Sequence, residues 1–517
     1  MQRHTRTLFT AFIGASALTL LAGTPSYALD IPTPLAYDMG PFGTWKVVGG
    51  VEAALSGWNN APHTCNGNGS SGPPISSASC TPHSKNDPGS ALFGGGSQTT
   101  GDIDLTNAMF IINSKGNMFA GADEDSGIPL QFHAWVGEPP QTPVMGYTSE
   151  NLAPNLYSSN GWHGLNNTGA ASFLFKGWAT YQPSDYFSIE GGRLPSVDGT
   201  EIGVGWLNNL PFLSDLNNMQ TTVADGFQIN LMTGGDDSYY FGFLPGYGST
   251  LTIRIADGYK TGHMNELGFL GLWNLTPDGS DFIAAYGHTR LSVVGNDNSV
   301  LNGPGFGGLQ TYSVGGFGIV NSNLIGVGTV YNLTHRLSLN AEVETQWLPK
   351  SDIPAADRCS VIGCNGNNDQ NYYRWSTQWT FAYDFGLQQM FGMPIRFQWA
   401  AQPEFTYQHG NTSDPNGLSF GNFLGLDVTQ GASNSSAVGA GTLGTFGVGS
   451  KMYAFQTGPT FQYHNAFLRP TIAWTHLASM DPGFGYGDTG TQHDQVVLML
   501  DFGWLLGQQE DTNSGQH

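Results

Sequence analysis

Seven basic and seven acidic side chains recur at alternate positions of extended segments: Lys46, Lys176, Arg254, Arg336, Arg374, Arg396 and Arg469 against Glu52, Glu190, Glu342, Glu344, Asp384, Glu404 and Asp501. Asn340 shares the parity of Glu342 and Glu344. Opposed charges along one wall create a transverse field that orders water and favours polar solutes over apolar ones, and rings of charge set ion selectivity. The plainer alternative is that these charges pair with one another and keep a structure in shape. Either role needs elements that turn alternate residues to one side.

Hydrolytic chemistry is the rival use of such side chains. Acyl transfer needs a nucleophile beside a His that a third group orients. His133, His263, His288, His409, His464 and His476 are scattered among unrelated segments, so no triad is read and each is assigned to a wall or a rim. ADEDSG, Ala122 to Gly127, is acidic enough for Ca²⁺ but lacks the full spacing of an EF-hand loop and reads as an exposed turn. There is no phosphate-binding or dinucleotide motif in a βα context, so no cofactor and no enzyme is expected.

The elements are written in the alternation. In HRLSLNAEVETQW, Leu337, Leu339, Ala341, Val343, Thr345 and Trp347 share one face, and Arg336, Ser338, Asn340, Glu342, Glu344 and Gln346 share the other. A period of two is a β-strand with unlike faces. IRFQWAAQPEFTYQ sets Phe397, Trp399, Phe405 and Tyr407 against Arg396, Gln398, Gln402 and Glu404; YRWSTQWTFAYDF and LTIRIA repeat the pattern.

The connections alternate too. Tight ones at Gln182, Thr276, Asn332, Met390 to Met393 and Tyr463 separate long polar ones, such as Asn59 to Thr100, Leu194 to Ala224 and Gly410 to Gly449. Short turns at one rim and long loops at the other are the mark of a transmembrane barrel. Counting gives an all-β fold: one antiparallel barrel of roughly sixteen strands, with short periplasmic turns and long extracellular loops. The hairpins within Gly101 to Ala134 and Phe227 to Thr252 are the hardest to place. In such a barrel the usual assignment is inverted, so Leu339 and Val343 face lipid while Glu342 and Glu344 face water. A barrel of this size leaves an aqueous channel.

Composition agrees. Aromatic residues make up 12% and charged residues 11%, far below the roughly 25% charged in soluble domains. Apolar runs stay as short as VVLML, Val496 to Leu500, whereas a spanning helix needs about 20 residues. The net charge of −22 excludes nucleic-acid binding through counterion release. The same acidity favours cations near the surface.

The start, with Arg3, Arg6, the apolar stretch Phe9 to Leu21 and small residues at Ser26 and Ala28, predicts a signal peptide over 1–28. The barrel is expected over 29–507 and a polar tail over 508–517. In an exported chain Cys65 with Cys80, and Cys359 with Cys364, are expected to form local disulfides.

TWKVVGGVEAALSGWNN, ATYQPSDYFSIEGGRLPSVDGTEIG and NLTHRLSLNAEVETQW resemble segments of Gram-negative outer-membrane porins, most closely the OmpL-like β-barrel porins. The resemblance implies an outer-membrane channel for passive diffusion of ions and small polar solutes, with outer-membrane lipid and the barrel-assembly machinery as partners. It leaves a homotrimer and a monomer both open. One departure concerns the end: many such proteins close on an aromatic residue, whereas here DQVVLMLDFGWLLG is followed by QQEDTNSGQH, leaving Phe502 or Trp504 inside the chain. An adhesin or scaffold built on the long loops is the alternative outside the channels, with a barrel hydrolase behind it.

Overall fold

The computed structural model describes residues 29–59, 100–115, 117–119, 127–138, 174–195, 197–201, 205–214, 216, 223–233, 248–257, 266–276, 279–290, 322–348, 372–409, 451–480, 486 and 491–508. The strands are β1 (Leu35–Asp38), β2 (Thr44–Trp58), β3 (Thr100–Lys115), β4 (Leu130–Glu138), β5 (Leu174–Ser184), β6 (Phe187–Pro195), β7 (Val223–Met232), β8 (Ser249–Asp257) and β9 (Glu266–Asn274). They continue as β10 (Phe282–Arg290), β11 (Ser322–Asn332), β12 (Leu337–Leu348), β13 (Tyr372–Met390), β14 (Met393–His409), β15 (Lys451–Tyr463), β16 (Ala466–Ser479) and β17 (Asp494–Leu506).

From β2 to β17 each strand pairs antiparallel with the next, and β17 pairs back onto β2 from Val497↔Trp58 to Leu506↔Gly49. The result is a closed barrel of sixteen strands. β1 takes up β2 where β17 leaves it, from Leu35↔Val47 to Asp38↔Thr44, and Thr33 bridges Gln508. Two strands laid end to end therefore pair with β2 over Thr44 to Val47 and over Gly49 to Trp58. Closure matters because a lipid bilayer offers no partner to an unpaired backbone group.

The two faces of β12 settle which way the alternation points. Glu342, Glu344 and Gln346 are buried, with Glu344 0% exposed, whereas Val343 between them is 47% exposed. The charged side is inside and the apolar side is outside. Exposed Ile253, Ile325, Val327, Trp379, Trp399 and Ile472 carry the same inversion around the barrel.

Aromatic rings band this outer surface twice. Near the rim of long connections, Trp375 contacts Phe405 and Phe405 contacts Tyr453, each at 4.9 Å between ring centroids. Near the rim of tight turns, Phe385 stacks on Phe397 at 4.7 Å and Phe397 on Phe461 at 5.3 Å. Phe397 and Phe405 are eight residues apart on β14, about 26 Å along a strand, and strand tilt brings the height to about 20 Å. An apolar belt on the order of 25 Å tall between aromatic girdles is what a bilayer solvates. The barrel is transmembrane.

The hairpins that were hardest to place in the sequence are single ones, β3 with β4 and β7 with β8. Tight turns between β5 and β6, β9 and β10, β11 and β12, β13 and β14, and β15 and β16 all lie on one rim. Residues 1–28, the four cysteines and the tail beyond 508 lie outside the described residues.

Candidate functional site

The interior is built on two unlike arcs. On strands β12 to β15 the inward residues are amides, hydroxyls and charges: Gln346, Arg374, Ser376, Gln378, Thr380, Gln402, Glu404 and Gln456, all buried. Gln456 donates to Gln402 (2.8 Å) and Gln402 to Gln378 (2.8 Å), while Thr380 also donates to Gln378 (2.9 Å). A carboxamide both donates and accepts, so a row of them relays from strand to strand.

On strands β2 to β6 and on β17 the inward face mixes buried polar residues, among them Glu52, Asn107, Thr180, Glu190 and Asp501, with large apolar ones, and it is the more apolar of the two arcs. Val48, Met109, Ile111, Trp135, Trp178, Leu194 and Leu505 form one buried cluster. Two polar side chains sit beside the rings of that cluster: the Lys176 ammonium lies 4.2 Å over Trp135, and His133 stacks on Trp178 at 4.8 Å with Nδ1 2.8 Å from Asn113.

A segment from the β6–β7 connection folds inside and touches both arcs. Its described residues are 197–201, 205–214 and 216. At the polar arc the Thr200 N–H donates to Glu342 Oε1 (3.0 Å), and its hydroxyl is shared between Glu342 Oε2 (2.9 Å) and Asn340 Oδ1 (2.8 Å). Tyr286 donates to Glu342 and to Glu344 (2.7 Å to the latter). Glu201 accepts from Ser214 N–H (2.8 Å) and from Gln402 (3.0 Å), and Gln456 donates to the Phe212 carbonyl (2.8 Å).

Three further side chains fix its course. Arg254 forks between Glu266 (2.5 Å) and the Pro195 carbonyl (2.8 Å), and His288 meets Asp198 at 2.9 Å. Arg469 binds Glu52 and Asp501 (2.5 Å) and donates to the carbonyls of Gly205 (3.1 Å) and Asn208 (3.0 Å). Such a planar fork suits several oxygens at once.

At the apolar arc Trp206 and Leu207 join the buried cluster. The approach is tight enough to require two glycines. A Cβ on Gly50 would lie 2.8 Å from Trp206 Nε1, and one on Gly205 would lie 2.7 Å from Glu52 Oε2. A side chain at residue 50 would have to displace the Trp206 ring, and one at residue 205 would have to push aside the Glu52 carboxylate that Arg469 holds.

The residues picked out in the sequence fall into three groups. Glu52, Lys176, Glu190, Arg254, Glu342, Glu344, Arg374, Glu404, Arg469 and Asp501 are buried on the inner face; Asn340, half-buried, joins them through Thr200. Asp384 and Arg396 sit near the tight-turn rim, bonded to each other at 2.8 Å, and Lys46 is half-buried where β1 overlaps β2. Arg336 is a correction. It is exposed in the turn before β12, because Thr334 Oγ1 closes that turn on the N–H groups of Arg336 and Leu337, and the strand begins only at Leu337.

Among the histidines, His464 lies in a turn and His476 on the outer face beside Trp474, with Nδ1 2.9 Å from Asp494. A G-x-S-x-G match, Gly417 to Gly421, lies outside the described residues. ADEDSG also lies outside the described residues apart from Gly127.

Pattern reasoning missed Trp135, Trp178 and Trp206, and did not single out the β6–β7 segment as the one that folds in. A signal existed in VGWLNNLPFLSDL, where residues 206, 207, 210, 212, 213 and 216 are large and apolar within a connection. A connection that stayed in water would gain nothing from them.

No protein-family model and no curated protein matches the chain. Solved structures similar to it include an anion-selective porin from Comamonas acidovorans (9% identity, TM-score 0.43, covering 89% of this chain and 99% of that one). They also include the outer membrane channel DcaP of Acinetobacter baumannii (9% identity, TM-score 0.40, 91% and 100% covered). Pseudomonas putida OprB is a third (8% identity, TM-score 0.42, 89% and 94% covered), and the anion selectivity named for the first is a property of that protein.

Proposed function

We propose that this chain is a Gram-negative outer-membrane porin, a channel for passive diffusion of ions and small polar solutes, narrowed by the segment over 197–216. The observation that carries the reading is the inversion on β12 and its neighbours: apolar side chains meet lipid, while amides, carboxylates and guanidinium groups turn inward around that segment. The tight-turn rim is then periplasmic and the long connections are extracellular, as insertion requires. Residues 1–28 act as a cleaved signal peptide, and the barrel-assembly machinery inserts the strands. Assembly as a homotrimer and membership of the OmpL-like group belong to the same proposal. The acidic balance of the chain favours weak cation preference.

One observation favours a second reading. Arg254, Arg374, Gln378 and Gln456 are at most 1% exposed, as in a packed interior rather than an open bore. A barrel sealed by its inner segment would be a scaffold for its long loops. Single-channel recording in planar bilayers separates the two. Stable steps, with a reversal potential in a KCl gradient that reports cation preference, are expected of the porin. Protein that inserts without conducting would overturn it.

A further inference from the structure

Leu29, at the start of the described chain, is buried inside the barrel mouth, in the same apolar cluster as Trp206 and Leu207 of the inner segment. Ile31 packs against that cluster as well. Between them Asp30 is gripped by its backbone. Its N–H donates to Gln462 Oε1 (2.5 Å), and Gln462 Nε2 donates to its carbonyl (2.8 Å) and to that of His464 (3.0 Å). The Asp30 carboxylate reaches Arg396 at 2.7 Å. Further along, Gln508 N–H donates to the Thr33 carbonyl (2.7 Å), and a Cβ on Gly507 would lie 2.8 Å from Pro32.

These contacts hold residues 29–33 as a strap along the inner wall of β14 to β17 at the tight-turn mouth. We infer that this strap is a latch for the inner segment, which is thereby held from both rims, and that releasing it loosens residues 205–208. The β6–β7 connection enters from the rim of long connections, whereas the strap enters from the opposite one. They meet in one apolar cluster, so water admitted under Leu29 would also reach the packing of Trp206.

The grip is unevenly distributed. Gln462 is 4% exposed, and its amide satisfies both backbone groups of Asp30, so its loss leaves buried partners unpaired. The Asp30–Arg396 pair is open to water, with Asp30 66% exposed, and such pairs contribute little. Gln462 is therefore the positioning residue, and the carboxylate of Asp30 is secondary.

Hydrogen exchange measured by mass spectrometry on the full mature chain, folded in detergent, tests the coupling. In Gln462→Met, which keeps side-chain volume, exchange over both 29–33 and 205–208 should rise about tenfold, the shift that one or two lost hydrogen bonds bring. Leu29→Ser should act on the same two stretches from the other end, and Asp30→Asn should change them less than either. Exchange that rises over 29–33 while 205–208 stays at the wild-type rate in both variants would overturn the latch. So would an Asp30→Asn effect larger than that of Gln462→Met. The readout does not need a conducting channel, so a wild-type protein that carries no current would count against the porin reading alone.

Discussion

Replacing Thr200 with Val isolates the contact that holds the inner segment to the polar arc. Valine keeps the branched shape and the backbone N–H, so the 3.0 Å bond from residue 200 to Glu342 Oε1 can survive. The hydroxyl is lost, and with it the donor at 2.9 Å to Glu342 Oε2 and at 2.8 Å to Asn340. Glu342 is 1% exposed, so its second oxygen loses a partner without gaining water. A hydrogen bond to a charged group contributes about 1.5–3 kcal/mol, and the penalty falls on whatever keeps that oxygen buried. The cheapest escape is to lift residues 197–201 and let water in. The equilibrium between seated and lifted forms should move by about 10- to 150-fold, at 1.4 kcal/mol per decade. Hydrogen exchange over 197–201 reads the shift directly, and conductance noise reads it in a bilayer. Thr200→Ser should stay near wild type. Adding Glu342→Gln to Thr200→Val should recover part of the loss, because the group left under-paired is then neutral. If Thr200→Val exchanges at the wild-type rate, the Thr200 hydroxyl is not what holds residues 197–201.

Val343→Lys places a charge on the lipid face in mid-strand, where β12 pairs with β11 and β13, and should cost about 2–4 kcal/mol at the bilayer midplane and less near its edges. Urea unfolding in lipid vesicles measures this, and an unchanged midpoint would mean that the faces are reversed. Arg469→Lys keeps the charge but loses the fork that serves two carboxylates and two carbonyls. Each hydrogen bond to a buried carboxylate that Lys cannot replace should cost about 1.5–3 kcal/mol. The heat-induced mobility shift of the folded barrel should then fall to lower temperature, and an unshifted transition would show that a simple charge suffices at this position.

How much could be read in advance depended on whether the cause was local. Val343 and Glu344 differ so sharply in polarity that a period of two assigns their faces without any partner strand, and β12 to β14 were legible for that reason. The strand count was legible because tight turns carry their own chemistry, as with Thr334 closing the turn before β12. AMFII, Ala108 to Ile112, gave no such sign. Met109 and Ile111 face the apolar arc while Phe110 faces lipid, so both sides of β3 are apolar and parity carries no contrast. Arg336 shows the opposite failure, since the alternation begins one residue before the strand does. The inner segment is set by contacts across the barrel, with Thr200 and Glu342 142 residues apart, and no window along the chain contains that information.

The two arcs imply that the inner segment is held by different forces at its two ends. Removing cover from Met109, Ile111, Trp135 and Trp178 would return large apolar side chains to water, at about 1.5–3 kcal/mol for each fully exposed Met or Ile. That burial, with the Arg469 clamp on Gly205 and Asn208, ties residues 205–208 far more firmly than one hydroxyl ties residue 200. At the other end the Thr200 hydroxyl contributes about 1.5–3 kcal/mol, less than those burials together. The 197–201 stretch can therefore move while 205–208 stays seated, and a change in bore should begin at Thr200 beside Glu342 rather than at Trp206. Thr200→Val should raise exchange over 197–201 and leave 205–208 near wild type, whereas Gln462→Met should do the reverse. Equal rises over both stretches in either variant would mean that the segment moves as one body, and that the apolar arc does not anchor it.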